Sequence, residues 1–266
     1  MNIQGQHILI TGAVGGIGRE LVHKLAELGA VLILADRDIS KLQGLGEEVK
    51  SRQCEVHIVP CDLLAPNAAL FLAKMATELT GHVDMVINCA GVAGFGLFEQ
   101  QSVEQMEMLW RINLLVPMQL AHALIPQMIT RGQGRIVNIG SVFGSIGFAY
   151  FTNYSASKFG LRGFSEALRR ELEGTGVGVT YIAPRYTKTA LNDGAVSLMA
   201  DAVGMNSDEP ELVATHIVQA ITDDATDYYI GWPESLFVRI NSIFPRLVDM
   251  ALRKQNRKTH AFAVTA

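Results

Sequence analysis

Short apolar runs alternate with longer amphipathic stretches along most of the chain. "HILI" at 7–10, "VLILA" at 31–35, "VHIV" at 56–59, "DMVIN" at 84–88, "RIVNI" at 135–139, "VGVTYI" at 177–182 and "YYI" at 228–230 are bounded by turn residues. Each predicts a short strand, buried where the run is continuously apolar. Between them the pattern is helical over about 17–29, 38–50, 66–80, 102–130, 152–173 and 209–222. Gly29 suits the end of the first helix, and Pro117 and Pro126 predict a kink or break in the fourth. Strand and helix alternate throughout, with helical links long enough for crossovers. The fold class is therefore α/β: a single-domain, doubly wound parallel sheet of about seven strands with helices on both faces. No stretch rich in Pro, Gly or Ser divides the body, which is expected to span 1–232, with an added helical segment over 233–266.

Composition narrows the classes. Hydrophobic residues make up 49% of the 266 and charged residues 18%, enough for a sizeable core and against disorder. The net charge of −4 gives no general attraction to nucleic acid, so none is expected as a partner. Cys54, Cys61 and Cys89 are odd in number and lack metal-type spacing, and the seven histidines are scattered singly. The expectation is a reduced, cytoplasmic protein with no metal site. The first residues lack the basic start and apolar stretch of a signal peptide, and no continuous apolar run approaches the ~18 residues that span a bilayer.

The turn "TGAVGGIG" at 11–18 joins the first strand to the first helix. Gly12 permits a sharp turn, while Gly16 and Gly18 let backbone approach a phosphate and let the helix pack close to the sheet. The helix N-terminus offers free N–H groups and a partial positive charge to a pyrophosphate. A tight structural turn is the bland alternative; the strand–turn–helix context favours a dinucleotide. After the second strand comes "ADRD" at 35–38. Asp36 can accept hydrogen bonds from ribose hydroxyls and repels a 2′-phosphate, whereas Arg37 can hold that phosphate. NAD is favoured over NADP, because no Lys or Arg lies in the glycine turn.

Tyr154 and Lys158 stand one helical turn apart in "YSASK", and Ser141 follows the strand "RIVNI" at the edge where ligands bind in such sheets. A nearby ammonium favours phenolate and makes tyrosine usable as an acid or base near neutrality. With these residues the sequence resembles the short-chain dehydrogenase/reductase family, in its roughly 250-residue Rossmann form, over about residues 5 to 230. "TGAVGGIG", "CDL" at 61–63, "NCAG" at 88–91, Asn113 in "RINLL", Ser141 in "IGSVFG", "YSASK" and "APRYTKT" at 183–189 fall in the family's order. The resemblance implies an NAD(P)-dependent oxidoreductase interconverting an alcohol and a carbonyl. Tyr154 would exchange the proton and Ser141 would place the oxygen. Lys158 would hold the nicotinamide ribose and depress the tyrosine pKa, and Asn113 would hold a water in a proton path. The implied cofactor set is Gly12, Gly16, Ile17, Gly18, Asp36, Arg37, Asp62, Leu63, Asn88, Ala90, Gly91, Tyr154, Lys158, Pro184, Thr187 and Thr189. It also implies a homodimer or homotetramer formed through the helices carrying Asn113 and Tyr154.

Two residues depart from the family's pattern. Cys89 replaces an asparagine, which is expected to affect packing more than catalysis, and Arg185 replaces a glycine after Pro184. Arg185 is open to two readings, contact with an anionic part of substrate or cofactor, or solvent. Leu191, Val196, Leu198, Met199, Val203 and Met205, with "VAGFGLF" at 92–98, could form walls for a hydrophobic, lipid-like small molecule; all could equally be core. From Arg239 to Lys258 six basic residues face one acid, Asp249, and Pro233 and Pro245 look like first-turn residues of short helices. A basic amphipathic helix can lie peripherally on an anionic membrane, here the inner membrane surface, or pack on its own domain or a partner subunit. The competing activities are a 3-oxoacyl-thioester (acyl-carrier-protein) reductase using NADPH and, from another class, a non-catalytic dinucleotide-binding sensor.

Overall fold

The computed structural model describes residues 2–50 and 54–264. In chain order the elements are β1 (His7–Thr11), α1 (Gly16–Glu27), β2 (Val31–Asp36), α2 (Ile39–Lys50), β3 (Val56–Pro60), α3 (Ala68–Thr80) and β4 (Met85–Asn88). Then come α4 (Val103–Trp110), a π-helical segment (Arg111–Leu115), α5 (Val116–Arg131), β5 (Gly134–Ile139), α6 (Thr152–Glu171) and β6 (Val177–Ala183). The chain closes with α7 (Ala195–Val203), α8 (Pro210–Thr222), β7 (Asp227–Tyr229), α9 (Glu234–Ile243) and α10 (Pro245–Ala263).

The seven strands form one parallel sheet in the order β3-β2-β1-β4-β5-β6-β7. The expected strand number, direction and doubly wound architecture are all present. Alternation along each strand splits the core in two. Ile8 and Ile10 of β1 and Leu32 and Leu34 of β2 pack with α1, α2 and α8. Leu9 and Ile33, one residue out of phase, face α3, α5 and α6 instead. Strand order reverses between β1 and β4, which opens a crevice at their C-terminal ends, where Thr11 is in register with Asn88.

Three elements differ from the pattern-based expectation. Pro126 lies inside α5 without ending it, whereas Pro117 lies within a helical segment that continues from α4. The irregularity is the π turn around Asn113, directly before Pro117, which lets the helix pass a residue with no N–H to donate. The continuous Val103–Arg131 segment is apolar enough over an 18-residue window to pass for a membrane span, yet half of that window is buried in the protein, with Leu120 and Leu124 against α3. The last helix is not short: α10 runs for 19 residues and packs back across α7.

Candidate active site

The crevice at the switch point is a cavity of about 420 Å³ walled by the glycine turn, the end of β2 and the "CDL" and "NCAG" segments. Gly12 has φ +68°, and a Cβ there would lie 2.7 Å from the Ala90 backbone. A Cβ on Gly18 would strike the Gly12 carbonyl oxygen, and one on Gly16 would lie 2.6 Å from the Thr189 side chain. Each glycine is therefore required by a close approach. Among the described residues no side chain caps α1, and its first turn carries no acid, so its N–H groups are open to an anion at the crevice wall. Asp36 holds its carboxylate at the rim by accepting from the N–H groups of Arg37 (2.8 Å) and Asp38 (3.3 Å). Ile17, Arg37, Asp62, Leu63, Ala90, Gly91 and Thr189 line the same crevice. This cradle fits a dinucleotide: a pyrophosphate at the helix end and a ribose at Asp36.

Five residues of the implied cofactor set lie off that wall: Tyr154 and Lys158, described below, and Asn88, Pro184 and Thr187. Asn88 is buried between strands, donating to Asn138 Oδ1 (2.8 Å), and Asn138 in turn donates through Nδ2 to the Ser165 hydroxyl (2.8 Å). Pro184 is buried and its carbonyl accepts from Val142 N–H (3.0 Å). Thr187 is buried, with its hydroxyl on the Arg185 carbonyl (3.1 Å). Their reach toward the crevice is through the backbone they brace.

Beside the crevice lies a second cavity, of about 670 Å³, with Ser141 and Tyr154 in its wall. Ser141 is fixed from behind by Tyr181, whose hydroxyl donates to the Ser141 carbonyl (3.2 Å) and whose ring lies where a Cβ of Gly140 or Gly144 would be. The Ser141 hydroxyl accepts from Phe143 N–H (3.1 Å) and interacts with the Tyr154 phenol. Lys158, buried on α6, places Nζ 5.8 Å from the Tyr154 ring centre and donates to the Ile139 carbonyl (3.0 Å). Burial pushes the Tyr154 phenol up, and its hydrogen bond with Ser141 opposes this. Burial lowers Lys158 to about 8. Burial thus acts on both groups, raising the phenol and lowering the ammonium whose charge favours phenolate.

Asn113 is fully buried at the π turn, and its amide is committed. Oδ1 accepts from Val92 N–H (2.9 Å), while Nδ2 donates to the Val92 carbonyl (2.9 Å) and to Ser157 (3.2 Å). Through these bonds it braces the segment after "NCAG". Cys89 borders the crevice with its thiol pushed up to about 12 by burial, so it stays protonated.

Arg185 lines the second cavity, and its guanidinium is already paired. It donates to both oxygens of buried Asp208 (2.9 and 2.7 Å), to Glu234 (3.1 Å) and to the Trp232 carbonyl (3.2 Å). It ties the start of α9 to the loop after β6. The apolar wall is made by Val196, Met199, Val203 and Met205 as expected, whereas Leu191 lines the crevice and Leu198 is exposed. Unforeseen were the rings of Phe143, Phe148 and Phe151 and a roof from α9 and α10: Phe237, Ile240, Leu247, Val248 and Leu252. The paired glycines beside Ser141 were the available signal for Tyr181. Among the described residues His7, His82 and Asp84 bring ligand atoms within 4.8 Å of one another, but Asp84 already receives Arg131 and the His7 N–H.

A doubly wound sheet with a phosphate-sized cradle at its switch point, next to a serine, a tyrosine and a lysine, defines a nucleotide-dependent oxidoreductase. Residues 6–198 match the short chain dehydrogenase family, and the chain belongs to it. It is 32% identical over 258 residues to "Ketoacyl reductase HetN" of Nostoc sp., covering 94% of this chain and 89% of that protein. It is 31% identical over 272 residues to "Dehydrogenase/reductase SDR family member 7B" of Bos taurus, covering 96% and 83%. Among solved structures, a Burkholderia phymatum short-chain dehydrogenase/reductase in complex with NAD superposes with TM-score 0.85 at 24% identity, covering 93% of this chain and 96% of that one. One from Sphingobium yanoikuyae in complex with NADPH gives 0.79 at 26%, covering 92% and 95%.

Proposed function

We propose that the protein interconverts a secondary alcohol and a ketone on a hydrophobic, lipid-like molecule, with a nicotinamide dinucleotide bound in the crevice. The observation that carries this reading is the 670 Å³ cavity, which holds Ser141 and Tyr154 in its wall and is lined mostly by aromatic and aliphatic side chains, with Arg185, Asn192, Asn206, Glu234 and Gln255 as its other polar lining. Gly12, Gly16, Ile17 and Gly18 would hold the pyrophosphate, Asp36 the adenosine ribose, and Lys158 and Thr189 the nicotinamide half. The bound dinucleotide supplies the redox chemistry at the substrate carbon. Ser141 donates a hydrogen bond to the substrate oxygen, and Tyr154 passes its phenolic proton to that oxygen when a carbonyl is reduced, or takes it back when an alcohol is oxidised. Lys158 keeps a positive charge near the phenol below pH about 8, which stabilises the phenolate left after proton transfer. Asp36 at the rim supports NAD as the favoured cofactor, and exposed Arg37 beside it keeps NADP open. The exposed side chains of Leu115, Met118 and Phe159, near Asn113 and on the helix of Tyr154, support a homodimer or homotetramer.

The test is a series of secondary alcohols and ketones of rising chain length, assayed with each dinucleotide. Rising kcat/KM with chain length supports the reading, and a preference for small polar carbonyls sinks it. A second reading, reduction of 3-oxoacyl thioesters, draws on the name of the Nostoc relative. It predicts NADPH use and activity on acyl-carrier thioesters above that on free ketones.

A further inference from the structure

The segment that roofs the cavity turns a second face outward. Ile243 (68% exposed), Met250 (61%) and Phe244 (58%) lie at or near the α9–α10 junction, with Trp232 (70%) just before α9. Large apolar side chains so exposed, and grouped in one supersecondary unit, mark an interaction surface. Among them stand Arg239, Arg246, Arg253 and Arg257, all exposed and without an ion pair among the described residues. Met250 lies one helical turn from Arg246 and from Arg253, so on α10 the basic and apolar positions share a stripe. Charge is also segregated: residues 233–266 hold six basic and two acidic residues, net +4, while the remaining 16 basic and 24 acidic residues give −8. Phe237 and Leu247 belong both to the cavity lining and to the exposed apolar set, so the cavity opens on this face.

We infer that the α9–α10 face docks on an anionic lipid surface and presents the cavity mouth to the bilayer. Apolar side chains enter the headgroup boundary, and the arginines pair with lipid phosphates around them. A second copy of the chain fits less well, because self-association would bring two +4 segments together. That the cavity takes its substrate from the bilayer rests on the function proposed above; the docking itself does not.

The full chain is sedimented with vesicles of phosphatidylcholine alone and with phosphatidylglycerol added, at low and high salt. Strong binding to the anionic vesicles only, weakened by salt, is expected. Arg246→Gln and Arg253→Gln should each lower the partition about fivefold, since a basic residue near such a surface contributes about that factor. Ile243→Ser with Phe244→Ser should lower it further, with turnover of a dispersed short-chain ketone unchanged. Tyr154→Phe should bind like the parent, so loss of catalysis and loss of docking are read separately. The proposal is overturned by no binding to anionic vesicles at low salt, or by binding that all four substitutions leave intact. It is equally overturned if the serine variant instead dissolves a dimer that never binds vesicles.

Discussion

Replacing Lys158 by methionine tests the electrostatics of the site without any substrate. Lys158 is buried, and its folded value of about 8 lies below its unfolded value of 10.5. That shift corresponds to about 3 kcal/mol spent on keeping a charge out of water. The folded value is the lower one, so the cost is present in full below pH about 8. It fades as pH rises toward 10.5, where the unfolded chain also gives up the proton. Methionine removes the cost but leaves the Ile139 carbonyl unpaired, a loss of about 1–3 kcal/mol that does not depend on pH. At pH 7 the variant should therefore be as stable as the parent, or more stable by up to about 2 kcal/mol. Between pH 7 and 9.5 the parent should gain about 2 kcal/mol on the variant. Urea unfolding of both proteins at the two pH values, without dinucleotide, measures this difference, and all other titrations cancel between them. A difference that does not move with pH would refute the reasoning.

Other outcomes follow from the same geometry. Gly18→Ala, whose Cβ would strike the Gly12 carbonyl, should abolish dinucleotide binding measured by fluorescence titration. Arg185→Ala leaves the buried Asp208 carboxylate without its fork and should cost about 3 kcal/mol in urea unfolding; KM for a long-chain ketone should rise more than kcat falls. Asp36→Ala should shift the ratio of kcat/KM for NAD over NADP toward NADP at least tenfold, because a repelling carboxylate is removed. Gly140→Ala should lower kcat with dinucleotide affinity unchanged, since its methyl would displace Tyr181 and with it Ser141.

Much of this protein is legible in its sequence because strand and crevice are local. Seven apolar runs became seven strands, and the glycine turn sits where a strand meets a helix. The tyrosine and lysine share a helical face because they are four residues apart. What escaped depends on long-range packing. Arg185 pairs with Asp208 and Glu234, 23 and 49 residues away, a clamp that no spacing rule encodes. Tyr181 supports Ser141 only because β6 lies beside β5. The roof from α10 is amphipathic on its own terms, but which surface it covers is set by α7 and the loop at Arg185. The burial that raises the Tyr154 phenol and lowers Lys158 is likewise a property of the whole fold, which a four-residue spacing does not encode.

The central claim is that the Tyr154 phenol exchanges its proton with a substrate oxygen held inside an apolar cavity. It is tested most directly by single-turnover kinetics of Tyr154→Phe beside the parent, with a long-chain ketone and reduced dinucleotide, following nicotinamide absorbance. The account predicts a loss of about 10²–10⁴ in the reductive step, with dinucleotide affinity within about twofold of the parent's. A phenylalanine variant that turns over at the parent's rate would contradict it.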